Sequence, residues 1–192
     1  GTDVQRFAAA GVQPSLRDVS DAKDPVRIMS VGRLVAKKGY PDLLRALAKL
    51  PDGLNWHFTH VGGGADLTAL KRLAKSSGLE GRVTWRGALP QDQVIEAYGA
   101  ADIFALTSRI ADDGDRDGLP NVLVEAGASG LPVIATKVSA IPELITDGVN
   151  GILAEAGDVD DLAGAMESLI RGPELRRKLG AGGAARVAKD FD

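Results

Sequence analysis

VRIMSVGRLVAKKGYPDLLRALAKL, residues 26–50, is the stretch that decides the fold. Its first six residues form a short run rich in β-formers that stops at Gly32. Its last ten, from Pro41, carry leucines at helical spacing, with the proline where a first helical turn tolerates it. A strand that ends on a glycine and feeds a helix is half of a β-α-β unit.

The alternation continues along the chain. NWHFTHVGGG (55–64), RVTWRG (82–87), DIFALTS (102–108), PVIATKV (132–138) and NGILAEA (150–156) read as strands. Between and after them, DLTALKRLAKSSG (66–78), QDQVIEAYGAA (91–101), LPNVLVEAGASG (119–130), IPELI (141–145), DVDDLAGAMESLIRG (158–172) and PELRRKLGAGGAARVAKDF (173–191) read as helices. The spacing predicts an α/β domain over 26–192: a Rossmann-like, doubly wound, mostly parallel six-stranded sheet with helices on both faces and right-handed crossovers. Residues 1–25, polar and interrupted by Pro14 and Pro25, read as a lead-in or interdomain linker, and the chain opens without Met, as expected of a piece of a longer protein.

Composition narrows the function. The chain has 192 residues, 44% of them apolar, enough for one domain with a sizeable core. Aromatics are only 4%, which argues against a base-stacking platform, and a net charge of −3 offers no global field for nucleic acid or an acidic membrane. There is no cysteine, so disulfides and thiolate metal sites are excluded. No apolar run approaches the roughly 18 residues that span a bilayer, and no signal peptide opens the chain.

In a doubly wound sheet ligands bind beyond the carboxyl ends of the strands, so the loops after Val31, Val61, Arg86, Thr107 and Ala135 hold the candidates. Arg33 and Lys38 leave the first strand inside a loop bounded by Gly32 and Gly39. They are either two solvated charges or a pair converging on a diphosphate, the arginine as a planar fork and the lysine as a point charge. The Gly62–Gly64 run has only the first two glycines of a dinucleotide fingerprint, with Leu67 in the third place, and reads as a tight turn. His57 and His60, three apart on one strand, point to opposite faces and cannot share a metal; core or surface histidines are expected. Ser129 in GASG lacks the order of a nucleophile elbow.

The fourth loop carries two competing patterns. Asp113, Asp115, Asp117 and Gly118 spell the opening of a calcium loop, but the bidentate Glu such a loop needs about six residues after its glycine falls on Val124. Glu125 lies one residue, about 100° of helix, too far, and a strand rather than a helix precedes the loop. The better fit is an anion site. Gly118 and Leu119 stand at a helix start with Pro120 near its first turn, so free N–H groups and the positive end of the helix dipole face the strand ends. Asp117 at that start and Glu125, roughly 9 Å along the axis, would bracket a diphosphate and accept hydrogen bonds from sugar hydroxyls, unless they are only a surface loop charge and a capping charge.

SVGRLVAKKGYPDLLRAL (30–47), VTWRGALPQDQVIEAYGAADIFALTS (83–108), DGLPNVLVEAGASGLPVIAT (117–136) and IPELITDGVNGILAEAGDVDDLAGAM (141–166) together resemble the C-terminal half of glycosyltransferase family 4, retaining enzymes of the GT-B architecture. The resemblance implies the nucleotide-sugar donor-binding half of a hexosyltransferase. Its partners would be the donor (a UDP- or GDP-sugar), an N-terminal GT-B domain and a glycan or lipid-linked acceptor, but not nucleic acid. By this resemblance Arg33 and Lys38 bind the diphosphate, Glu125 holds the ribose hydroxyls and Asp117 the donor sugar. Gly32, Gly118, Leu119 and Pro120 lend backbone contacts, and Arg86, Gly87 and Leu89 face the nucleobase. Arg33, Lys38, Asp117 and Glu125 are the expected catalytic set, with no metal and no cofactor. In that family the first acid is usually Glu; here it is Asp117, in a loop with the extra acids Asp112, Asp113 and Asp115, as in a subgroup acting in exopolysaccharide assembly. The implied location is cytoplasmic, peripheral to the inner membrane face in the full-length enzyme, with the isolated half inactive. A non-catalytic nucleotide-binding module and half of a GT-B sugar-nucleotide epimerase are the competing expectations.

Overall fold

The computed structural model describes residues 2–12, 15–110, 114 and 120–191. Six strands, β1 (Val26–Val31), β2 (Trp56–Val61), β3 (Val83–Trp85), β4 (Ile103–Leu106), β5 (Val133–Thr136) and β6 (Ile152–Ala154), form one parallel sheet in the order β3-β2-β1-β4-β5-β6. The direction of winding reverses between β1 and β4, which creates a crevice at their carboxyl ends.

Alternation along each strand sends successive side chains to opposite faces, and two cores result. On one face Ile28, Phe58, Ala105 and Ile134 pack with Leu43, Leu44 and Leu47 of α2 (Tyr40–Ala48), Leu70 of α3 (Leu67–Ser76), and Leu162, Met166 and Leu169 of α7 (Val159–Arg171). On the other, Met29, Phe104, Leu106, Val133 and Ala135 pack with Tyr98 of α4 (Gln91–Ala100), Leu123 and Ala126 of α5 (Asn121–Ser129), Ile141 and Leu144 of α6 (Ile141–Leu144), and Val187 of α8 (Pro173–Phe191). β4 and β5 are buried along their whole length because helices cover both faces, which is why β4 is apolar throughout and β5 apolar up to Thr136.

The polar lead-in expected over residues 1–25 is in large part packed against the body of the domain. Its first residues form a helix, α1 (Thr2–Ala10), that lies against α5 and α4. Phe7 sets its ring edge-on to Tyr98 at 5.1 Å and is 1% exposed. A stretch with few large apolar residues reads as a linker, yet Phe7, with Val4 and Val12 packed on the same core and Arg6 bonded to Gln91 and Asp92 of α4, docks it. Asp102 holds the segment that follows: it accepts from Ser15 Oγ (2.5 Å), the Arg27 amide (2.8 Å) and Arg17 Nη1 (3.3 Å). The buried Arg176 guanidinium satisfies the carbonyls of Leu169 and Ile170 at the end of α7 and of Arg17.

Candidate functional site

The loop from β1 to α2 is stitched to its neighbours on both sides. Toward β2, the Gly32 amide donates to Val61 O (3.0 Å) and the Leu34 amide to Gly63 O (2.9 Å), while the Asp66 amide donates to Leu34 O (3.2 Å). Gly62 has φ +127°, and a Cβ there would lie 2.1 Å from Gly32 O. VGGG is therefore a tight turn whose missing side chains let two backbones touch. Toward β4, Thr107 Oγ1 donates to Gly39 O (2.8 Å) and the Arg109 amide to Lys37 O (2.9 Å). A Cβ on Gly39, φ +69°, would stand 1.9 Å from Thr107 O.

These bonds place the two expected cations. Arg33 is exposed, held between Gly32 and the fully buried Leu34. Lys38 is half-buried at the end of a 3₁₀ turn, Ala36–Lys38, that runs into Gly39 and α2. Arg109 adds a third positive group across the crevice, with Nη1 3.7 Å from Oδ2 of the buried Asp42.

On the β4 side the helix starts slightly later than its sequence pattern suggests. Pro120 is buried and occupies the N-cap position, and α5 begins at Asn121. Among the described residues no side chain caps that end; the Leu123 amide donates to Pro120 O (3.1 Å), and the remaining first N–H groups lie where the chain comes up from the carboxyl end of β4. Glu125 is half-buried in the second turn, close enough to Tyr98 that, after burial, its charge also helps raise the tyrosine pKa well above its ordinary value. Asp117, Gly118 and Leu119, with the acids Asp112, Asp113 and Asp115 of the calcium-like pattern, lie outside the described residues.

The segment after β3 is brought to the same edge through Gly62, whose amide donates to Gly87 O (2.8 Å). Gly87 and Leu89 are half-buried. Arg86 is exposed, and its side chain lines a groove of about 290 Å³ with Met29, His57, Thr59 and Ala97. Gly32, Arg33 and Lys38 follow β1, Pro120 and Glu125 follow β4, and these two strands are parallel neighbours, so both loops leave from the same edge of the sheet; Gly87 and Leu89 follow β3 two strands away, and Arg86 lines the groove beside it.

The histidines fall on opposite faces, as the alternation requires. His57 is half-buried and meets Thr84 Oγ1 at 2.7 Å; burial, and then the charge of Arg82, lower its pKa. His60 is fully buried beneath the β1–α2 loop, with Nδ1 2.6 Å from Ser30 Oγ and Nε2 2.9 Å from Gly32 O. Burial lowers its pKa to about 4, partly opposed by the bond to Gly32. Sequence reasoning left His60 among ordinary core or surface histidines. The signal available was a polar residue in each strand, Ser30 and His60, on the face whose other positions, Val26, Ile28, Trp56 and Phe58, are apolar.

A doubly wound domain with cations on one loop and a helix start on the next, both after the strands where its winding reverses, has the layout of the class of folds that take ligands at the carboxyl edge of the sheet. Comparison with known proteins narrows the class. The glycosyl transferases group 1 family matches residues 12–186, and the chain belongs to that family. It is 40% identical over 169 residues to the amylovoran biosynthesis glycosyltransferase AmsK of Erwinia amylovora, covering 84% of this chain and 41% of that protein. Among solved structures it superposes on Anabaena Alr3699/HepE in complex with UDP, with a TM-score of 0.83 and 26% identity, over 100% of this chain and 52% of the other. It also superposes on the C-terminal domain of a glycosyl transferase group 1 family protein (LpcC) from Francisella tularensis, with a TM-score of 0.80 and 27% identity, over 100% and 99% of the two chains. The chain therefore has the fold of the C-terminal, Rossmann-like half of a GT-B glycosyltransferase, and it spans about half the length of the full-length relatives it matches. Among the described residues no helix is long and apolar enough to cross a membrane.

Proposed function

We propose that this chain is the donor-binding half of a retaining, family 4-like hexosyltransferase that takes a nucleoside-diphosphate sugar and passes the sugar to a glycan or lipid-linked acceptor in cell-surface polysaccharide assembly. The observation that carries the reading is the junction of the β1–α2 loop with the end of β4 (Thr107 to Gly39 and Arg109 to Lys37), which holds Arg33 and Lys38 at the same edge as the uncapped start of α5. UDP bound to the Anabaena protein and the polysaccharide role in the name of the Erwinia relative support it.

When the bond between the sugar's anomeric carbon and the diphosphate breaks, the electron pair leaves on a phosphate oxygen. Arg33, Lys38 and the first N–H groups of α5 stabilise that growing charge, which is electrostatic catalysis. Two fixed cations and a helix dipole supply the positive field, so the reaction proceeds without a divalent metal. Glu125 accepts from the ribose hydroxyls and Asp117 from the sugar, while the backbone around Gly87 and Leu89 meets the base, with Arg86 flanking it. The acceptor, whose hydroxyl receives the sugar with its configuration retained, is held by the other half of the enzyme. That enzyme works in the cytoplasm, at the inner face of the membrane when its acceptor is a lipid.

Calorimetric titration of UDP, GDP and ADP without metal tests the reading. One diphosphate binds, and Arg33→Ala and Lys38→Ala each weaken it by about 1.5–3 kcal/mol, the range for hydrogen bonds to charged groups. Unchanged affinity in both variants, or binding that requires Ca²⁺, refutes it.

A further inference from the structure

We propose that His60 is a positioning residue of this crevice: its imidazole, held by Ser30, fixes the Gly32 carbonyl and thereby the direction in which Arg33 leaves β1. Ser30 and His60 stand opposite each other in the β1–β2 register, and both are fully buried. A carbonyl can only accept, so the 2.9 Å contact between His60 Nε2 and Gly32 O requires the proton on Nε2. In the neutral ring Nδ1 is then bare, and Ser30 Oγ–H donates to it across 2.6 Å. The chain of bonds has one direction, from Ser30 hydroxyl to imidazole to Gly32 carbonyl, and both ring nitrogens are satisfied.

What this chain holds is the peptide between Gly32 and Arg33. That unit is planar, so fixing its oxygen also fixes the Arg33 N–H on the opposite side. The Gly32 and Leu34 amides are bonded to Val61 O and Gly63 O, and the His60 bond completes the set around Arg33. Gly62 approaches the same oxygen so closely that a Cβ would touch both Gly32 O, at 2.1 Å, and His60 Nε2, at 3.3 Å. Tyr40 sets its ring edge-on to the imidazole at 4.6 Å and Trp85 lies at 5.9 Å, so the ring cannot turn away. An aliphatic residue would fill this apolar position without desolvating two nitrogens; the histidine supplies a donor to a carbonyl that no backbone amide of the described residues reaches.

The inference rests on the proposed diphosphate role of Arg33, and the test separates the two. UDP, GDP and ADP are titrated into the 192-residue chain as wild type, His60→Phe, His60→Gln, Arg33→Ala and the double variant His60→Phe/Arg33→Ala. The tightest of the three binds about tenfold more weakly to His60→Phe. It stays within about threefold in His60→Gln, which offers an N–H near the place of Nε2. Arg33→Ala adds little in the His60→Phe background, because the two act along one path. Long-range ¹H–¹⁵N correlation on the wild type shows the Nε2–H tautomer, a readout that needs no variant to fold. Wild-type affinity in folded His60→Phe, additive losses in the double variant, or an Nδ1–H tautomer overturns the positioning role while leaving the Arg33 site intact. Failure of the wild type to bind any of the three overturns both.

Discussion

Buried neutral, His60 makes the stability of this domain depend on pH in a calculable way. Its pKa in the native state is about 4, because burial penalises the charged ring more than the Gly32 carbonyl favours it, while a histidine in the unfolded chain titrates at its ordinary 6.5. Between those values the unfolded chain binds a proton that the native state refuses. Stability is therefore fully present above pH 6.5 and is lost as pH falls toward 4, with a limiting slope of about 1.4 kcal/mol per pH unit. Integrated from pH 7 to pH 5, the loss through this one side chain is about 2 kcal/mol. His57 shifts in the same direction, and the carboxylates titrate over part of the same range, so the His60 share is isolated by difference. Guanidinium unfolding of the wild type and of His60→Gln at several pH values between 7 and 5 provides it: the wild type loses about 2 kcal/mol more than the variant. If the two curves fall in parallel, the imidazole is not neutral and desolvated in the folded state, and the bond directions drawn through Ser30 and Gly32 are wrong.

Gly39→Ala places a methyl group 1.9 Å from Thr107 O at a left-handed φ of +69°. It is expected to destabilise the fold by more than about 2 kcal/mol and to weaken diphosphate binding, both read from unfolding and calorimetry on the same protein. Phe7→Ala removes the ring that docks α1 on Tyr98 and should lower stability by about 3 kcal/mol; a change below about 0.5 kcal/mol, typical of a surface site, would mean that α1 does not pack in solution. Glu125→Gln is expected to weaken the bare diphosphate and the nucleotide sugar alike, whereas Asp117→Asn weakens only the nucleotide sugar, by about 1.5–3 kcal/mol. Equal losses for the bare nucleotide in both would replace the two-ended bracket with a general field effect. Incubating the isolated chain with a nucleotide sugar and an acceptor is expected to yield no glycoside, since the proposed function leaves the acceptor to the other half; a defined glycosylated product would contradict that division.

The six strands were legible because each announces itself locally. β1 stops before Gly32, β2 before a glycine run, and β4 and all of β5 but Thr136 are apolar, as suits strands covered on both faces. Arg33, Lys38 and Glu125 could be singled out by their place after strand ends and by the family resemblance, while their charge alone also fits solvated surface groups. The limits were equally physical. Residues 2–10 looked like a linker, since the contacts that make them a packed helix, above all the Phe7 ring on Tyr98, lie some ninety residues away in the sequence. His60 looked unremarkable because its two bonds go to Ser30 and to a backbone carbonyl, both near in space and distant in sequence, and a carbonyl leaves no mark in the sequence at all. The sequence by itself determined the order of strands and helices and named candidate residues for the site, because periodicity, turn residues and charge are local properties. Only the tertiary structure decided that the winding reverses between β1 and β4, that the Gly32–Gly39 loop is bonded to Thr107 and Arg109 across that reversal, and that a buried imidazole holds the loop from beneath, because each depends on which distant backbone a residue happens to touch.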